Sequence, residues 1–166
     1  MKRPGRTTCF FKMKRKLQLG CAILLVGLIA IQFVQPARNE AAAPGPNDLM
    51  ARQPVPAAVA ALLKRACYDC HSNNTRYPWY AAVQPVGWWL AWHVNDGKRH
   101  LDFSAFGTYP AKRASSKLGE IADEVSTHGM PLKSYTWAHP EARLTPAEIK
   151  LIADWAEARQ DALASP

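Results

Sequence analysis

From Leu17 to Val34 the chain reads LQLGCAILLVGLIAIQFV, a run without one charged side chain. Few environments accept such a stretch. Folded as a helix it is apolar on every side, so lipid or protein must cover it. Its length approaches the roughly 20 residues that cross a bilayer core of about 30 Å. It predicts an N-terminal transmembrane helix over residues 17–34. Ahead of it lie Lys2, Arg3, Arg6, Lys12, Lys14, Arg15 and Lys16 with no acid among them, a basic flank over residues 1–16 that is expected to stay in the cytoplasm. Everything after Gln35 then lies on the outer side of the membrane. A cleaved signal sequence is the competing reading, although its apolar region usually runs about 7–15 residues. Cys21 stands at the start of the apolar run instead of after it, which argues against a lipid-modified cysteine.

The same flank accounts for the net charge of +8. From Leu17 onward 14 Lys and Arg face 13 Asp and Glu, so the rest of the chain is close to neutral. A nucleic-acid partner loses its electrostatic support and is not expected.

Residues 35–53, rich in Pro, Ala and Gly and without apolar periodicity, read as a flexible tether. A folded domain is expected over residues 54–163. Apolar residues recur there at helical spacing in four stretches, near 55–70, 79–97, 112–128 and from Thr145 onward, with no alternating strand pattern. Gly97 and Gly129 read as stops for the second and third. The fourth opens on Thr145-Pro-Ala-Glu148, the signature of a capping box. The fold class is therefore all-α. The segments HLDFSAFGTYP and MPLKSYTWAHPEAR read as ordered loops between helices.

Near the end of the first of these helices stands CYDCH, with Cys67, Cys70 and His71. Three chemistries use two thiols at this spacing. A zinc site needs four ligands, and neither a second cysteine pair nor a His-x₃₋₅-His pair follows. A thioredoxin-like dithiol belongs to a βαβ setting, which this sequence lacks. Covalent haem needs no further residues: the thiols add across two vinyl groups and the adjacent histidine serves as proximal iron ligand. An exported all-α domain fits that reading best.

Four segments together, CYDCHSNNTRYPWY, VGWWLAWHVNDGKRHLDFSAF, MPLKSYTWAHPEARLT and EIKLIADWAEA, resemble the bacterial haem-binding domain family with one CxxCH motif, a relative of the monohaem c-type cytochromes. The likeness spans about residues 54–160. It implies a cytochrome c-like bundle of about four helices around one covalently attached haem c, with Cys67 and Cys70 forming the thioethers and His71 the proximal ligand. For Met130, in HGMPL, it implies the distal iron ligand. A thioether there raises the potential relative to a second imidazole. His93, His100 and His128 are rival sixth ligands, and an open sixth position is a further alternative. The resemblance also implies redox protein partners, a cytochrome c peroxidase or respiratory complex among them, and a location in the bacterial inner membrane with the C-terminal domain in the periplasm.

No acid–base pair, nucleophile or phosphate-binding loop is evident, so the expected activity is one-electron transfer and not enzymatic. A haem enzyme or ligand sensor with an open sixth position is the alternative. Lys98, Arg99 and His100 are candidates to meet haem propionates. Trp79 to Trp137 holds five of the six tryptophans, mostly expected in a helical core.

Overall fold

The computed structural model describes residues 6–41 and 43–164, with side chains from Met13 onward. Lys2 and Arg3 of the basic flank lie outside the described residues. Eight α-helices appear among those described: α1 (Arg6–Ile31), α2 (Leu49–Arg52), α3 (Ala57–Ala66), α4 (Tyr68–His71), α5 (Val86–His100), α6 (Ala111–Ser126), α7 (Lys133–Ala138) and α8 (Pro146–Ala164). Three 3₁₀ turns, at Trp79–Ala82, Phe103–Thr108 and Pro140–Ala142, complete the list of helical elements. The described residues contain no strand, only an isolated bridge between Glu40 and Asn74. The all-α expectation holds.

The chain forms two compact units. One comprises residues 1–37 and 78–91, the other residues 38–77 and 92–166. Within the first, α1 ends at Ile31, and the backbone tightens into i+3 hydrogen bonds at Gln32, Phe33 and Val34. Gln32 turns its side chain into this end, with Nε2 donating to the Leu28 carbonyl and Oε1 accepting from the Gln84 amide at 2.8 Å. The helical part of the apolar run is therefore shorter than expected, spanning roughly 22 Å at about 1.5 Å per residue. Among the described residues no helix is long and apolar enough to cross a membrane. A single spanning helix over 17–34 is not supported.

In the second unit a core of Val59, Leu62, Leu63, Tyr68, Leu101, Phe103, Phe106, Leu118, Ile121, Val125, Ile152 and Trp155 joins α3, α6 and α8 to the 3₁₀ turn at Phe103. The helix starts follow their sequence signals. Thr145 and Glu148 exchange hydrogen bonds across the first turn of α8, Thr145 N to Glu148 Oε2 at 2.8 Å and Glu148 N to Thr145 Oγ1 at 3.3 Å. Proline interrupts the second predicted helix: residues 79–82 form a 3₁₀ turn, and α5 begins only after Pro85.

Part of the predicted tether is folded. Leu49 is fully buried, and Asp48 caps α2 while accepting a hydrogen bond from Tyr68 Oη at 2.8 Å. Trp155 Nε1 donates to the Pro54 carbonyl, and Gly107 N to that of Asn47. Pro and Ala composition signalled a linker; the few large or polar residues between them anchor it.

Candidate functional site

The CYDCH segment sits where one helix gives way to another. Cys67, at φ −128° and ψ −41°, ends α3 and starts α4, and its carbonyl accepts from the amides of Cys70 and His71. The break leaves a single tight turn between the two cysteines. Neither is in a disulfide. Burial pushes the Cys67 thiol up to about 12, helped by the neighbouring Cys70. Burial, with Asp69 beside it, pushes Cys70 up to about 11. Both are therefore neutral thiols at pH 7 in the protein alone.

His71 Nδ1 lies 2.9 Å from the carbonyl oxygen of Leu101, the first residue beyond α5. A carbonyl only accepts, so Nδ1 carries the proton and Nε2 keeps its lone pair. Burial lowers the imidazole below its ordinary value, against the opposing pull of the Leu101 and Gly97 carbonyls. A neutral, oriented imidazole with one open nitrogen is what a metal takes.

Cys67, His71 and Met130 line one half-open cleft of about 150 Å³, with Leu101, Phe103, Ile121 and Val125 supplying its apolar walls. Cys70 is not among its lining residues. It packs backward against α5, where a Cβ placed on Gly97 would stand 2.9 Å from the Cys70 carbonyl oxygen. Gly97 is thus a close-approach residue inside α5 and not the predicted stop, since the helix continues to His100. Nor is Gly129 the stop of α6. The left-handed residue is His128, at φ 59°, and the Met130 amide returns to the Glu124 carbonyl at 3.0 Å. This turn brings Met130 to the cleft.

The rivals separate. His100 lines the cleft with an exposed ring near Asp96. His93 stacks edge-on with Trp92, and His128 is exposed at the turn. Lys98 bonds Asn39 and Asn73 and Arg99 pairs with Asp96, so both cations are already engaged. Glu120 and Glu124 also line the cleft. Their carboxylates disfavour an anionic group on that side. Sequence reasoning missed Leu101, whose backbone does the holding, and Asp69. The latter is only 6 % exposed and receives Arg76 through N, Nε and Nη2 and Tyr135 Oη at 2.7 Å. An acid between the two cysteines was its only signal.

A helical domain that gathers thiol, imidazole and thioether around one apolar cleft has the donor chemistry of a haem-binding protein. The family comparison gives the class its name: the haem-binding domain model matches residues 26–158, and the chain belongs to that family. The match starts inside α1 and includes the segment expected as a tether. No curated protein and no solved structure matches the chain.

Proposed function

We propose that this haem-binding protein is a monohaem c-type cytochrome that carries single electrons at the outer face of a bacterial cytoplasmic membrane, and that it is not an enzyme. The observation that carries the reading is the convergence of Cys67, His71 and Met130 on one cleft. Cys67 and Cys70 would form the two thioether links, His71 would offer Nε2 to the iron, and Met130 would offer its sulfur from the turn after α6. Bound there, the haem supplies one-electron iron chemistry. The chain's own part is to hold the imidazole on the Leu101 carbonyl and to exclude water with Leu101, Phe103, Ile121 and Val125. Membrane attachment runs through the uncharged N-terminal segment. Redox proteins, a peroxidase or a respiratory complex, are the partners.

The test is the absorption spectrum of the haem-loaded full chain beside Met130→Ala. A weak sulfur-to-iron band at the red end of the ferric spectrum, lost in the variant, supports His71/Met130 ligation. Matching spectra with free carbon monoxide binding overturn it in favour of an enzyme or sensor. Matching low-spin spectra that refuse carbon monoxide point to His100. A chain that leaves the attachment machinery without haem, or a Cys67→Ser/Cys70→Ser variant that keeps its haem through denaturation, overturns covalent attachment.

A further inference from the structure

Residues 17–37 and 78–91, separated by 40 positions in sequence, fall in one compact unit and contain no Asp, Glu, Lys or Arg between them. Three glutamines tie them together. Gln32 Oε1 accepts from the Gln84 amide, Gln35 Nε2 donates to the Ala82 carbonyl at 3.1 Å, and Gln84 Nε2 donates to Gln35 Oε1 at 2.9 Å. Trp88 Nε1 completes the clasp by donating to the Val34 carbonyl at 2.8 Å. The polar groups in this unit are thus turned on one another.

Its apolar groups are turned outward. Leu24, Leu25 and Val26 follow one another round α1, so they point in three directions, yet they are 65, 59 and 65 % exposed. Between Met13 and Ala30 no face of the helix is covered. Trp79 is 82 % exposed, and Trp88, Trp89, Val83 and Val86 are exposed beside it. A protein-binding patch normally carries a charged or polar rim. Segments 17–37 and 78–91 carry no charged residue, and their tryptophans are the residue type that settles where acyl chains meet headgroups. Lys14, Arg15 and Lys16 lie at the other end of the apolar stretch, as anionic headgroups favour.

We propose that Trp79, Trp88 and Trp89 form an interfacial lipid-binding surface that makes up for the short apolar stretch of α1. The inference rests on the membrane attachment proposed above and names the residues that accomplish it. Trp137, also exposed, is in the other unit and serves as the comparison.

The test uses the haem-loaded full chain reconstituted in phosphatidylcholine–phosphatidylglycerol vesicles. Variants keep Trp79, Trp88, Trp89 or Trp137 as the one exposed tryptophan, the others being changed to Phe and the buried Trp155 retained. Emission is compared between brominated and plain lipid, so quenching by haem cancels. Expected is a loss of about half the emission from Trp79, Trp88 and Trp89, and little from Trp137. Vesicles that float the chain while these three stay unquenched overturn the surface and leave membrane attachment standing. A chain that does not float overturns both. Shielding that grows with protein concentration in the absence of lipid assigns the face to a second copy, and overturns the proposal. Trp79→Ser/Trp89→Ser, with its haem spectrum unchanged, gives an independent reading: its bound fraction is expected to fall several-fold, and undiminished binding counts against the surface.

Discussion

Tyr135 Oη donates to Asp69 Oδ2 at 2.7 Å, joining α7, just beyond Met130, to the residue between the two cysteines of the CYDCH turn. The CYDCH turn and the segment after Met130 are thereby tied through a buried carboxylate that Arg76 also grips. Burial and donation to Asp69 both raise the Tyr135 hydroxyl far above its ordinary value, so it remains a donor at every working pH. Removing it leaves Asp69 short of a partner in a nearly dry site. Tyr135→Phe is expected to cost about 1 to 3 kcal/mol of unfolding free energy, read by denaturant titration. If Met130 ligates the haem iron as proposed, the red-end sulfur band should weaken with it, because the Met130 turn loses its tie.

Gly97 approaches the backbone of Cys70 so closely that a methyl group cannot enter without movement. In a helix, Ala normally gains about 1 kcal/mol over Gly. Overpacking against a fixed carbonyl costs about 1 to 3 kcal/mol, and the carbonyl here belongs to a turn with little freedom. Gly97→Ala is therefore expected to destabilise the fold and to lower the yield of haem-loaded chain, measured by pyridine haemochrome against total protein. Equal yield and stability would remove Gly97 from the account.

His128 holds the left-handed position that ends α6. His128→Gly should leave stability unchanged or raise it by up to about 1 kcal/mol. His128→Val should lower it by about 1 to 2 kcal/mol, since a β-branched residue resists positive φ. Thermal melts of the pair, compared with wild type, check the sign. Because His128 is exposed at the turn, neither variant is expected to abolish the haem spectrum.

Glu148 is held at about 2, against an ordinary 4.5, by the Thr145 amide first, then by Arg65 and the Thr145 hydroxyl. A depressed carboxyl stabilises the fold above its unfolded value and loses that contribution as acid protonates it. Stability should thus decline between about pH 4.5 and pH 2 through this group. Glu148→Gln should flatten that part of the acid limb in urea midpoints taken across the range. An unchanged slope would mean that the capping box does not hold in solution.

The helical domain was legible where periodicity and caps coincided. Thr145 and Glu148 announced α8, and the repeat of Leu118, Ile121 and Val125 announced α6. Helix stops are less legible, because glycine signals a turn by residue type alone, whereas Gly97 serves close packing and His128, not Gly129, adopts positive φ. Cys67, His71 and Met130, which share the cleft, stand out as candidates by residue type, since few side chains can ligate iron. Leu101 could not stand out, because a carbonyl that orients an imidazole belongs to any residue type. Asp48 and Leu49 were hidden in a Pro- and Ala-rich segment whose composition describes its average and not its anchors. Composition places most of the tryptophans in a helical core, yet Trp79, Trp88, Trp89, Trp92 and Trp137 are all exposed.

The hydrogen bond from His71 Nδ1 to the carbonyl just past the end of α5 does more than aim the ring. Carbonyls at a helix C-terminus concentrate partial negative charge, and an imidazole that donates into them becomes a stronger electron donor through its far nitrogen. A richer donor favours the oxidised metal. If His71 ligates the haem iron as proposed, the reduction potential would be set partly by where a helix stops, and a change at the end of α5 would shift it without altering the side chain of His71.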